Sequence, residues 1–225
     1  MEPRTPLPHP RDLYAALGRL TALPLPRPGE ASQAFARSTV FFPLAGLFLG
    51  VALAGVRWCT SQWLPAWAVA IVVVAVWEAL GATWRDSPWR HRAGAGIVLS
   101  VAVKIVCLVQ QAGGRPAALL FAPMLGRWTM VVLAVGARDA GAPERKFNAA
   151  ITFREFALTS VFSCAVVFAT ADAFGVLIIV CVAALSLVGR WLCHRGGGVS
   201  WHRLFMGAQL TEALVLVLFS LLPRR

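Results

Sequence analysis

The chain has 225 residues, of which 58% are hydrophobic and 14% charged, and its 21 Lys and Arg against 10 Asp and Glu give a net charge of +11. A soluble domain carries roughly a quarter charged residues, so this composition excludes an ordinary soluble globule and indicates an integral membrane protein. The basic residues lie between or beside apolar blocks, which points to bilayer orientation, anionic lipid head groups or phosphate-bearing substrates; no basic patch with interleaved aromatics is large enough for nucleic-acid binding.

Residues 1–38 form a Pro-rich segment that contains one short helical pattern, 12–23, with Leu13, Ala16, Leu17, Leu20 and Leu23 on one face. An apolar stripe of this kind lies along a membrane surface. Five arginines without a lysine place the segment on the cytoplasmic side. Its Pro content and its distance from the first apolar block do not fit a cleaved signal peptide.

A single transmembrane domain is expected over residues 39–222. Its first span, 39–56, carries Gly46, Gly50 and Gly55 as small faces for close helix contact, with Pro43 near the start. The second, 64–82, holds Glu78 and leads to a polar loop, 83–93, with Arg85, Asp86, Arg90, His91 and Arg92. The third, 94–109, contains Lys104, and the fourth, 116–136, contains Arg127. After a charged loop, 137–155, the blocks 156–171 and 174–192 are separated only by Asp172 and Ala173, so a tight extracytoplasmic turn is expected at Asp172. The last span follows the glycines Gly196, Gly197 and Gly198 and bears one carboxylate, Glu212.

The fold class is therefore all-α and polytopic, with six or seven transmembrane helices and a cytoplasmic N-terminus. In the seven-span scheme Arg224 and Arg225 emerge on the side opposite to the other basic loops; six spans with one re-entrant hairpin would avoid this.

The five cysteines lack paired or metal-ligand spacing and are read as small apolar packing residues, and the histidines in the basic loops also lack ligand spacing. Ionisable groups inside spans are costly and default to functional candidates. Here they are Glu78, Lys104, Arg127 and Glu212. Arginine-rich loops, with glycines whose backbone can approach a ligand, point to an anionic, nucleotide-like partner at the cytoplasmic face. A small transporter is the competing class, without the inverted repeat such folds show.

Several segments in order resemble the cobalamin synthase family, adenosylcobinamide-GDP ribazoletransferase. Residues 20–28 (LTALPLPRP) resemble its L-T-x-x-P-x-P opening, and residues 41–50 (FFPLAGLFLG) resemble its F-P-x-x-G-x-x-x-G first span. Arg85-Asp86-Ser87 is similar to the R-D-S-R-x-G loop, Gly126-Arg127-Trp128 to S-R-W, and residues 197–212 to G-G-x-T-G-D-x-x-G-A-x-x-E-L-T-E.

The resemblance implies a multi-pass protein of a bacterial cytoplasmic membrane that joins adenosylcobinamide-GDP to α-ribazole or its phosphate and releases GMP, with Mg2+. Corrinoid and nucleotide-like substrates, the lipid bilayer and other cobalamin-assembly enzymes are the implied partners. By the same resemblance, Asp86 and Glu212 are the expected catalytic and metal-binding residues. Arg85, Arg90, Arg92, Lys104, Arg127, Gly197 and Gly198 are the expected phosphate-binding set.

The chain departs from the pattern in its acidic groups. The family's H-x-D-G-x-A-D-T-x-D-G segment is missing between residues 81 and 85, and His202, Phe205 and Gln209 stand where the last motif has Asp, Gly and Glu. A catalytically impaired relative, acting as a membrane scaffold or corrinoid-binding partner, is the alternative reading.

Overall fold

The computed structural model describes residues 9–22, 37–81, 94–111, 116–137 and 151–221, and every element among them is a helix. In chain order these are α1 (Pro10–Leu20), α2 (Phe42–Thr60), α3 (Ala66–Leu80), α4 (Gly94–Gln110), α5 (Pro116–Ala134), α6 (Phe153–Arg195) and α7 (Trp201–Leu221).

The short N-terminal helix starts where its sequence dictates. Asp12 Oδ2 accepts from the His9 amide at 2.9 Å, closing a capping box, and Pro10 occupies the first turn, where its missing N–H costs nothing. Ala15, Ala16 and Leu20 are buried while Arg11 and Tyr14 are exposed, which is the amphipathic division expected. The amide of Ala22 donates to the Leu80 carbonyl at 2.9 Å, so α1 is moored at the C-terminal end of α3.

The helical stretch from Phe153 to Arg195 covers 43 residues. A straight helix of that length would span about 65 Å, twice the ~30 Å hydrocarbon core. Two hydrogen bonds exclude a straight course. Trp128 Nε1 donates to Ser160 Oγ at 3.0 Å, and the hydroxyl of the adjacent Thr129 is 3.2 Å from Ser186 Oγ. In a straight helix those two serines would lie about 39 Å apart, far beyond the reach of neighbouring residues. The chain therefore doubles back between them, in the interval that contains the expected turn at 172. The arms Phe153–Thr170 and Phe174–Arg195 are each of membrane length, like α2, α5 and α7. With the shorter apolar helices α3 and α4, seven arms form a multi-pass membrane bundle.

At the centre stands α5, 89% of which is buried, against 22% for either arm of α6. Close approach to it is made through α2. Pro123 interrupts α5, and because it has no N–H, the carbonyl of Leu119 loses its helical donor. Gly50 lies against that carbonyl, and a Cβ there would sit 2.6 Å from it; at Gly46 a Cβ would sit 2.4 Å from the Pro123 carbonyl. Both obstacles are backbone and cannot swing away, so the two glycines set the α2–α5 distance. Gly46→Leu is expected to abolish recovery of monodisperse protein from membranes, whereas Gly55→Leu, where a Cβ meets nothing within 4 Å, leaves the yield unchanged. Fluorescence-detected size exclusion of the two variants measures this.

Aromatic residues mark one end of the bundle. Trp58, Trp63 and Trp67 around the α2–α3 connection are all exposed, as rings placed at a membrane–water interface are. The opposite end carries α1, Glu78 and the α6–α7 turn.

Candidate functional site

Three helices contribute to a buried polar cluster near the α1 end, and a fourth reaches it from the centre. On α4, Ser100 and Lys104 are four residues apart, and on α7, Gln209 and Glu212 are three apart, so each pair shares a helix face. Glu78 and Trp77 come from the last turn of α3, and Arg127 comes from the middle of α5.

Lys104 is the hub of the cluster. Its Nζ donates to Glu212 Oε2 at 2.6 Å, Gln209 Oε1 at 2.6 Å and Glu78 Oε1 at 2.8 Å, which uses all three of its protons. The ammonium also lies 4.5 Å from the centre of the Trp77 ring. Gln209 is held from both sides, its Oε1 accepting from Ser100 Oγ at 3.0 Å and its Nε2 donating to Glu78 Oε2 at 3.4 Å. The second oxygen of Glu212 accepts from Arg127 Nη1 at 3.5 Å. Lys104 and Glu212 are fully buried and Arg127 nearly so, whereas the Glu78 side chain keeps 15% exposure, so the cluster opens toward the end of α3.

The electrostatics are closed in the same way. Two carboxylates face two cations, which makes the cluster neutral overall and bearable in an apolar interior. Arg127 Nη2 lies 3.4 Å from where a Cβ on Gly81 would stand, beside the C-terminal carbonyls of α3, where the helix dipole favours a cation. Gly126 makes room for the carboxylate, since a Cβ there would come within 2.9 Å of Glu212 Cγ. Below the ions, the hydroxyls of Ser186, Thr129 and Thr211 satisfy one another, with Thr129 and Thr211 at 3.0 Å.

Of the residues expected from sequence, Lys104, Arg127 and Glu212 are brought together. Arg85, Asp86, Arg90 and Arg92 lie outside the described residues. Gly197 and Gly198 are elsewhere, at the end of α6 and about 16 Å from Glu212 measured along α7 by helical rise. Their geometry is that of a helix stop. Gly197 has a left-handed φ of +86°, and the Gly198 amide donates to the Cys193 carbonyl at 2.9 Å, the long bond of a Schellman cap. Gly197→Ala is expected to lower stability by about 1 kcal/mol and Gly197→Asn by less, read as shifts of the thermal unfolding midpoint.

Sequence alone does not single out Ser100 or Trp77; it marks Gln209 only as a departure from the last family motif and Glu78 only as an ionisable group within a span. The i, i+3 and i, i+4 spacings around Lys104 and Glu212 are the signal that could have found Gln209 and Ser100.

The Mg2+ implied by the resemblance would draw on Glu212 and on Asp86, which lies outside the described residues. Among the described residues no group of three or more His, Cys, Asp or Glu side chains converges. Glu78 and Glu212 do approach a common point, and the Lys104 ammonium stands on it.

Comparison with known proteins places this sequence in a family. The sequence matches the family described as cobalamin-5-phosphate synthase over residues 12–83 and 91–220. The chain belongs to that family. It is 27% identical over 236 aligned positions to the adenosylcobinamide-GDP ribazoletransferase of Roseiflexus sp. strain RS-1, covering 92% of this chain and 88% of that one. It is 28% identical over 153 positions to the enzyme of the same name from Geotalea daltonii, covering 56% of this chain and 62% of that one. No solved structure matches. For this member of the cobalamin-5-phosphate synthase family, Glu78, Lys104, Arg127, Gln209 and Glu212 all fall inside the matched segments, while Arg85, Asp86 and Arg90 fall in the interval between them.

Proposed function

We propose that this chain joins adenosylcobinamide-GDP to α-ribazole or its phosphate, releasing GMP, at the cytoplasmic face of a bacterial inner membrane. The observation that carries the reading is the family match over most of the chain, which includes every ionised member of the buried cluster. The cytoplasmic assignment rests on the basic residues of the N-terminal segment and of the loops at the same end.

In the reaction, the ribazole hydroxyl oxygen bonds to the phosphorus attached to cobinamide, and the bond from that phosphorus to the GMP oxygen breaks. The cluster supplies what such a transfer needs from a protein, namely position and charge. Arg127, beside Gly81 at the end of α3, donates to a phosphate oxygen. Glu78, the member with partial exposure and with its Oε2 held only by a long bond from Gln209, accepts the hydroxyl proton. Lys104 and Glu212 hold these two groups in place from beneath. Arg85, Arg90, Arg92, Gly197 and Gly198 are assigned to the diphosphate, and Asp86 to catalysis and Mg2+, by the resemblance alone.

The test uses the full chain in proteoliposomes with adenosylcobinamide-GDP, α-ribazole and Mg2+. Cobalamin and GMP are expected in equal amounts by chromatography. Monodisperse protein that yields neither overturns the reading. Corrinoid binding without GMP release would favour the non-catalytic relative, which the full occupancy of Lys104 and the missing acidic segment make the second reading.

A further inference from the structure

Glu78 Oε1, Gln209 Oε1 and Glu212 Oε2 all point at one position, from two different helices, at 2.6 to 2.8 Å from its centre. Convergent carboxylate and amide oxygens are the donor set of a hard divalent cation. Here the position holds the ammonium of Lys104, carried in on a third helix, with the Trp77 ring covering another side at 4.5 Å.

We propose that Lys104 is a built-in replacement for a divalent cation, so that this oxygen cage is a cation site occupied by the chain itself and closed to Mg2+.

Three features carry this. The match between three protons and three oxygens is complete, so the ammonium has no proton left over and two of the three oxygens are at the short end of charge-assisted distances. The cage and the ammonium are on rigid helices, and the tether keeps the cation at the site whatever the free metal concentration. The charge count requires a cation there. Without Lys104 the cage would hold one buried and one partly buried carboxylate balanced by Arg127 alone, at 3.5 Å from the buried one, and an uncompensated buried charge is strongly disfavoured.

It follows that removing the ammonium exposes a vacancy a divalent ion can fill, and that Glu212 in the native chain is not a metal ligand. This inference does not depend on the transfer reaction, and its test reads metal binding rather than turnover. Purified full-length protein in nanodiscs is titrated with Mn2+ alone, and the free ion is followed by its six-line electron paramagnetic resonance signal. The quantity of interest is the number of Mn2+ ions whose binding is lost on Glu212→Gln, which removes any contribution from other parts of the chain.

For the native chain the expected number is zero, and for Lys104→Met it is one, with affinity at least about tenfold above any Mn2+ binding by the native chain. Mg2+ is also expected to raise the unfolding midpoint of Lys104→Met and to leave the Glu212-dependent part of the native midpoint unchanged. A Glu212-dependent Mn2+ ion in the native chain overturns the proposal, as does a folded Lys104→Met that binds none. Lys104→Ser serves as the second variant if the methionine does not fold, and the native comparison decides on its own if neither does.

Discussion

Glu212→Gln is expected to slow GMP release by at least about a hundredfold while the protein still inserts and folds. The native carboxylate, fully buried, accepts from Lys104 at 2.6 Å and from Arg127 at 3.5 Å. The amide keeps the shape but has no negative charge, so two buried cations are left facing one carboxylate. Breaking a buried pair by removing one partner costs about 3–5 kcal/mol. The chain relieves that cost by moving Lys104 and Arg127 away from their native places, and loss of one preorganised polar group in an active site lowers rates by about 10²–10³-fold. Initial rates of GMP release together with thermal midpoints check both halves. A variant with native rate removes Glu212 from the working site, whatever its effect on stability.

Gly126→Val is the second large effect, and it acts without touching any charge. An added Cβ would lie 2.9 Å from Glu212 Cγ, 3.1 Å from Glu212 Oε1 and 3.1 Å from the Ala208 carbonyl. The carbonyl belongs to the α7 backbone and stays, so the glutamate is what gives way. Displacing it by about 1 Å breaks its bond to Lys104, and misplacements of that size cost on the order of 10²-fold in rate. Gly126→Ala, with one carbon instead of three, is expected to fall between native and valine. The measurement is the same initial rate, compared with that of Gly189→Ala, whose added Cβ would meet only the flexible end of Leu133 at 3.2 Å and which is expected to work normally.

How far these groups could be read from sequence follows from what sequence records. A charge inside an apolar run is conspicuous, so Lys104, Arg127 and Glu212 stand out from the order of residues alone. Glu78 stands out in the same way, but its meeting with Gln209 and Ser100 around Lys104 does not, because that arises only where α3, α4 and α7 converge. The reversal within α6 was readable because two membrane-length blocks abut with almost nothing between them. The central place of α5 was not. Hydropathy reports contact with lipid, so the most apolar span, Phe174–Arg195, is among the most exposed, while α5 is less apolar and almost wholly enclosed. What distinguishes α5 is the fit of Gly46 and Gly50 against the backbone around Pro123, a relation between two helices that neither shows alone.

The structural role of Gly197 and Gly198 shows the converse. A glycine pair before a helix reads as a ligand-facing loop, yet the left-handed φ at Gly197 and the bond from Gly198 to Cys193 account for both residues through the end of α6. Their part in binding phosphate rests on the resemblance, and the asparagine variant separates the two roles, since it tolerates the backbone conformation while adding a side chain to the loop.

The central claim is that Lys104 and Glu212 act as one unit in a ribazoletransferase site. A double-mutant cycle on the initial rate of GMP release, with Lys104→Met, Glu212→Gln and the two combined, tests it most directly. Each single change is expected to slow the reaction by about a hundredfold or more, with the double variant no slower than the worse single one. Rate losses that multiply would show two independent groups, and a double variant with native rate would place the reaction elsewhere in the chain.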